Sequence, residues 1–159
     1  MKSVVQPFTP FNIPRVAQLS QRSNQCNLRT IRYSEADLQK LMINNQYLTF
    51  TYTLEDTFGE SGLISVVILK KENADTLFID TWFMSCRVLK RGMEYFILGT
   101  LLESAIAQGF TTLKGQYIPS AKNALVKDFY PSMGFGEKED YWVLPVTSFN
   151  HPEIFICRI

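Results

Sequence analysis

Apolar and polar positions divide the chain into segments whose period switches between two residues and about 3.6. Residues 1–14 carry Pro7, Pro10 and Pro14 and predict an extended arm or linker, because proline lacks an amide hydrogen and restricts the residue before it. From residue 15, Val16, Leu19 and Cys26 mark one face of a short helix. Its opposite face, with Gln18, Gln21, Arg22, Asn24, Gln25 and Asn27, is amide-rich. That face suits either a polar ligand or plain solvation. Residues 30–33 predict a first strand. Ser34 followed by Asp37 predicts an N-cap and an acidic N3 position for a helix holding Leu38, Leu41 and Met42. Three strands follow at hairpin spacing, 47–54, 63–69 and 77–84, parted by turns at 59–62 and 70–75.

The stretch 80–94 reads as a strand, a basic turn and a helix start. Aromatic and β-branched residues give way to Met93, Ile97, Leu101 and Ala105 at helical spacing. Between them Arg87, Lys90, Arg91 and Gly92 bring cationic side chains to the exposed amides of a helix start, the shape of a diphosphate seat. The same residues also fit a charged loop ahead of a core helix. Gly109 caps the long helix, and residues 113–118 predict a strand reached by a parallel crossover. Ser120 opens a helix with Leu125, Val126 and Phe129 that ends near Tyr130, since Pro131 follows. After a turn at Gly134 and Phe135, strands at 141–146 and 154–158 flank a loop holding His151 and Pro152. The order predicts one α+β domain over residues 15–159, with a mostly antiparallel mixed sheet flanked by helices.

Composition sharpens this in few respects. A chain of 159 residues, 46% apolar and 13% aromatic, is long enough for one domain with a real core. With Lys+Arg 16 against Asp+Glu 15, the overall balance suggests neither a nucleic-acid nor a membrane-surface binder. Cys26, Cys86 and Cys157 lie far apart and His151 is the one histidine, so no metal-ligand spacing exists. These features predict a reduced, metal-free, cytoplasmic protein.

The order of elements resembles the GCN5-related N-acetyltransferase (GNAT) superfamily, and more closely the C-terminal acetyltransferase-like domain of FkbH-like proteins. The residues that carry the resemblance are 15–28, 80–94, Tyr117-Ile-Pro-Ser-Ala-Lys-Asn123, and Phe129-Tyr130 through Gly134-Phe135. FkbH-like proteins are haloacid-dehalogenase-type enzymes that dephosphorylate a glycerate phosphate and load a glyceryl unit onto an acyl carrier protein. The resemblance therefore implies coenzyme A, acyl-CoA or carrier-bound phosphopantetheine as ligand, with an acyl carrier protein and a phosphatase domain as partners. Two features depart from the pattern. No Asp-x-Asp of a phosphatase occurs in the chain. Of the family's Gln/Arg-x-x-Gly-x-Gly/Ala motif, residues 89–94 keep only Gly92 and place Glu94 at the last position. The register 87–92 keeps Arg87 and Gly92 but sets Lys90 where a glycine belongs.

Acyl transfer needs a seat for the thioester carbonyl and a proton donor for the departing thiolate. The resemblance places the seat on backbone amides near Phe83, Met84 and Ser85, and the donor at Tyr130, which also reads as a core aromatic. By period two, Asp80 shares a face with Trp82 and Met84, where it reads as a general base or as the partner of an arginine. Cys86, beside Arg87 and near a helix start, has surroundings that favour a thiolate and fit a covalent acyl-cysteine. Asn123 reads as a pantetheine or acceptor contact, or as a first-turn helix residue. Two functions remain: an acyltransferase, or a non-catalytic module that docks a carrier protein or pantetheine for a phosphatase domain.

Overall fold

The computed structural model describes residues 2–23, 25–56, 59–85, 92–147 and 157–158. Strand β1 (Lys2–Gln6) leads into helices α1 (Ile13–Arg22) and α2 (Glu35–Met42). A meander of β2 (Tyr47–Asp56), β3 (Gly59–Lys71) and β4 (Thr76–Met84) follows. Helix α3 (Met93–Ala107) and strand β5 (Thr112–Gly115) come next, then a 3-10 turn (Ala124–Val126) and helix α4 (Phe129–Ser132). Strands β6 (Gly136–Lys138), β7 (Tyr141–Pro145) and β8 (Cys157–Arg158) complete the described chain. The eight strands form one sheet in the order β6-β7-β5-β4-β3-β2-β1-β8. Two pairings are parallel, β4 with β5 and β1 with β8. The other pairings are antiparallel, so the sheet is mixed and mostly antiparallel.

Local rules account for much of this. Ser34 accepts from the Asp37 amide while Asp37 accepts from the Ser34 amide, a capping box that starts α2. Along α3, Met93, Ile97, Leu101 and Ala105 are wholly buried, and Phe96, Leu98 and Leu102 are buried beside them. Apolar on nearly all sides, α3 packs into one core layer with Val67, Leu69, Leu77 and Ile79 of the sheet. The alternate β3 residues Val66 and Ile68 face a second layer with Ile13, Val16 and Ala17 of α1 and Leu38 of α2. Thus α1 and α2 cover one face, and α3 and α4 the other.

Several expectations are corrected. Residues 2–6 are extended but are no arm: as β1 they pair with β2 from Lys2↔Glu55 to Gln6↔Thr51. Prolines at 7, 10 and 14 flank this strand rather than interrupt it. Residues 30–33 form no strand. The Asn27 side chain accepts from the amides of Arg29 and Thr30 at 3.3 and 2.9 Å, and Thr30 has φ 51, so the chain turns there. The expected helix after Ser120 divides into the 3-10 turn and α4, with Pro131 inside the first turn of α4, where no amide hydrogen is needed. Strand β5 ends at Gly115 rather than residue 118. Cys26 lies beyond α1 and is disulfide-bonded, against the reduced reading. Separation along the sequence says nothing of the short Cα distance a disulfide needs.

Candidate functional site

Strands β4 and β5 stay together only from Thr76↔Thr112 to Phe78↔Lys114. Beyond that, Asp80 is an extra residue in the register with β3, where Ile68 pairs with Thr81 and Leu69 with Ile79. This bulge bends β4 and resets its alternation. Trp82 and Met84 join Leu77 and Ile79 in the α3-side core, while Phe83 faces the α1 side. The outer half of β4 is thereby drawn away from β5, and a gap opens between them.

The gap is filled by the chain itself. Residues 26–28 run beside β4, with Asn27 opposite Phe83 in an antiparallel bridge. The Leu28 amide donates to the Trp82 carbonyl at 3.2 Å, and the Met84 amide to the Cys26 carbonyl at 3.2 Å. On the other side the Ile118 amide donates to the Leu28 carbonyl at 2.9 Å. Asn123, with no exposed surface, locks the insert. Its Nδ2 donates to the carbonyls of Asn27 at 3.0 Å and Ile118 at 2.9 Å. Its Oδ1 accepts from the Ser120 amide at 2.8 Å and the Tyr117 hydroxyl at 2.9 Å.

Several assignments made from sequence change accordingly. Of the amides expected to seat a thioester carbonyl, Met84 is bonded to Cys26, and Ser85 donates to the Ile64 carbonyl at 2.7 Å. The Phe83 carbonyl accepts from the Ser65 hydroxyl at 2.8 Å. Asn123 is neither a ligand contact nor a first-turn helix residue, because every polar atom of its side chain is engaged within the fold. Asp80 does not share a face with Trp82 and Met84, because the bulge intervenes. Its carboxylate accepts from the hydroxyls of Tyr33 and Thr81 and meets Arg29 Nη1 at 3.4 Å. Arg29 also donates to the Asp80 carbonyl at 2.6 Å. Burial, then the bond to Asp80, pushes the Tyr33 phenol well above its usual range.

Tyr130 is 1% exposed and its hydroxyl has no hydrogen-bond partner. Burial pushes this phenol far up. Its ring packs against Phe129 and Phe135, with centroids at 5.7 and 4.9 Å, and against Gly115. A Cβ there would stand 2.4 Å from Tyr130 Cζ and 2.7 Å from its hydroxyl oxygen, so only glycine admits the ring. Gly92 begins α3 with φ 89, a left-handed conformation that favours glycine. Cys86, Arg87, Lys90 and Arg91, assigned from sequence to catalysis or to the diphosphate seat, lie outside the described residues.

Two clefts flank the closed gap. On the α1 side, a cavity of about 720 Å³ has Cys26, Ile64, Phe83 and Met84 as buried walls. Arg22 and Lys122, both exposed, line it as well. On the α3 side, a smaller cleft of about 260 Å³ lies between the first turn of α3 and α4, lined by Glu94, Asp128, Phe129 and Met133 among others. Glu94 is 7% exposed and its Oε2 has no partner. Neither cleft is lined by Tyr130. The described residues do not fit coenzyme A in the strand gap. The edge groups of β4 that would pair with a pantetheine are spent on residues 26–28.

No family model matches the chain, and no curated protein matches its sequence. Solved structures do match its fold. The ribosomal-protein-S18-alanine N-acetyltransferase of Escherichia coli superposes with a TM-score of 0.66 at 17% identity, over 96% of this chain and 99% of that one. Ard1 from Thermoplasma volcanium gives 0.67 at 15% identity, over 92% and 99%. Rv2747 from Mycobacterium tuberculosis, in a structure with CoA, gives 0.61 at 16% identity, over 85% and 72%. The fold is that of the GNAT N-acetyltransferases.

Sequence reasoning missed the pairing of residues 26–28 with β4; around the larger cavity it singled out Arg22, Gln25, Phe83, Met84 and Ser85 but not Leu63 or Ile64. The signal was present in Gln25-Cys26-Asn27, an amide-rich run beyond the last helical residue, Arg22. Hydrogen-bonding capacity assigned to a helix face and a ligand serves the chain's own backbone instead.

Proposed function

We propose that this domain is a binding module on the acetyltransferase fold, which docks a carrier-borne pantetheine thioester in FkbH-type glyceryl and methoxymalonyl chemistry. A phosphatase domain would supply the chemistry. The observation that carries the reading is the hydrogen bonding of Trp82 and Met84 to residues 26–28, locked by Asn123. A module that does not thread pantetheine through the gap has no need to leave those groups free. Engagement of Asp80 by Arg29, Tyr33 and Thr81 supports the same reading.

The reading is tested by mixing the domain with acetyl-CoA and, separately, with an acylated carrier protein, and following both binding and thioester loss. Carrier binding that weakens with salt, poor competition by free coenzyme A and no thioester loss are expected. Rapid thioester loss with an added acceptor overturns it in favour of acyl transfer. That second reading is favoured by one observation, the Tyr130 hydroxyl without a partner. It requires residues 26–28 to leave the gap, so a gap-loosening Asn123→Ala variant should then turn over faster than the wild type.

A further inference from the structure

The insert that closes the gap carries a covalent bond. Cys26, 4% exposed, is disulfide-bonded, and its carbonyl accepts from the Met84 amide. The chain's other cysteines are Cys86 and Cys157. Cys157 stands in β8, four strands from β4 across β3, β2 and β1. At the ordinary strand spacing that is about 19 Å, well beyond the ~7 Å between Cα atoms that a disulfide bridges. Cys86 comes two residues after Met84 in the sequence. It lies outside the described residues, but elimination and the position of Met84 both assign it as the partner.

We infer that this disulfide is a redox latch on the insert. Oxidised, it ties residues 26–28 to the continuation of β4, so any opening of the gap is followed by intramolecular reclosing. Reduced, the insert is held to β4 by hydrogen bonds alone, Leu28 to Trp82 and Met84 to Cys26, with Asn123 fastening its other side. Access is built in, because Cys26 is also a wall of the cavity of about 720 Å³ beside the gap, through which a small dithiol reaches the bond. One thiolate of the dithiol attacks a sulfur of the disulfide, forming a mixed disulfide and releasing the other cysteine as a thiolate. The second thiol then displaces the first cysteine and closes the reductant's own ring. Two electrons pass to the protein, each cysteine takes a proton and ends as a thiol, and the dithiol ends as a cyclic disulfide.

The consequence is a choice between two uses of β4. With the latch closed, the Trp82 carbonyl and the Met84 amide stay paired with residues 28 and 26. With it open, transient departure of the insert exposes an edge that fits the amides of an extended pantetheine. The latch deepens the function proposed above and rests on that reading for the ligand; the covalent tie and the hydrogen bonds it guards stand without it.

The test compares hydrogen exchange in the oxidised protein and in the protein held in dithiothreitol. Amides of Leu28, Met84 and Ile118 are expected to exchange about tenfold or more faster after reduction, while the ladder of β2 with β3 keeps its rates. Cys26→Ser should show the faster rates without reductant and no further response to it; Cys157→Ser should respond as the wild type does. Unchanged rates at Met84 overturn the latch, as does a uniform gain over the whole sheet, since the bond then supports the fold rather than the insert. A peptide map that pairs Cys26 with Cys157 overturns it too. These wild-type measurements decide even if Cys26→Ser fails to fold. S-ethyl pantetheine, a thioether that cannot exchange with a disulfide, should bind the reduced protein about tenfold or more tightly than the oxidised, because more of the open form is populated; equal affinity overturns control of the ligand. Faster exchange after reduction without carrier binding removes the proposed function and keeps the latch; carrier binding with unchanged exchange does the reverse.

Discussion

The strand gap and the cavity beside it share the end of β4 yet use it in opposite ways. In the gap, backbone groups of Trp82 and Met84 are paired with residues 26–28. In the cavity, Phe83 and Met84 border open space, with Arg22 and Lys122 among the other lining residues. The closed region is stabilised by satisfying buried polar groups, whose unpaired state would cost about 1–3 kcal/mol each. The open region leaves space beside the same strand end. A fold that elsewhere carries acetyltransferases has here spent its backbone edge on its own integrity, and what remains for a ligand is side-chain chemistry.

The sharpest way to break this contrast is to unlock the gap. Asn123→Ala removes both bonds to the carbonyls of Asn27 and Ile118 and the acceptor of the Ser120 amide. It should cost about 3 kcal/mol or more in a denaturant titration, from several buried groups left unpaired together. Hydrogen exchange localises the effect: the amides of Leu28, Met84 and Ile118 should lose protection together while those of β3 opposite β2 keep theirs. Unchanged exchange at Met84 would show that the insert holds without its lock.

Gly115→Ala comes next. The added Cβ meets the Tyr130 ring at 2.4 Å, and that ring is held by Phe129 and Phe135. Overpacking of this kind costs about 1–3 kcal/mol. Combination with Tyr130→Leu should cost less than the two separate losses summed, since the clash is shared. Additive losses would place the strain elsewhere.

Tyr130→Phe should instead raise stability by about 1 kcal/mol, because it deletes a buried hydroxyl that has no partner. Thermal unfolding measures this directly. A fall in melting temperature would mean that the hydroxyl is bonded in solution, and the closed gap would need redrawing around it. The smallest effect belongs to a control remote from both regions. Bonds from the backbone and the side chain of Ser34 hold the Asp37 carboxyl below its ordinary 3.8. A depressed acid contributes stability that is present above its unfolded value and lost as pH falls through its folded value. The stability difference between wild type and Asp37→Asn should therefore be constant near neutrality and shrink once the pH falls below 3.8.

The amino-acid sequence alone determined what depends on neighbours within a turn or a strand. Ser34 and Asp37 announce the capping box because both its bonds span three residues. The apolar residues of α3 and the hairpin spacing of β2, β3 and β4 follow from period and turn chemistry. Tertiary structure decided the rest, because the deciding partners are remote. Asn27 and Asn123 are 96 residues apart, and the bond from the Asn123 side chain to the Asn27 carbonyl turns a candidate ligand contact into a lock on the insert. Arg29 and Asp80 are 51 apart, and their pairing turns a candidate base into part of the scaffold. The bulge at Asp80 shifts β4 by one residue against β3, and a shift of one residue in a strand exchanges its faces. Period two read from sequence assumes an unbroken ladder, so it set Asp80 beside Trp82, where the folded chain sets it beside Tyr33.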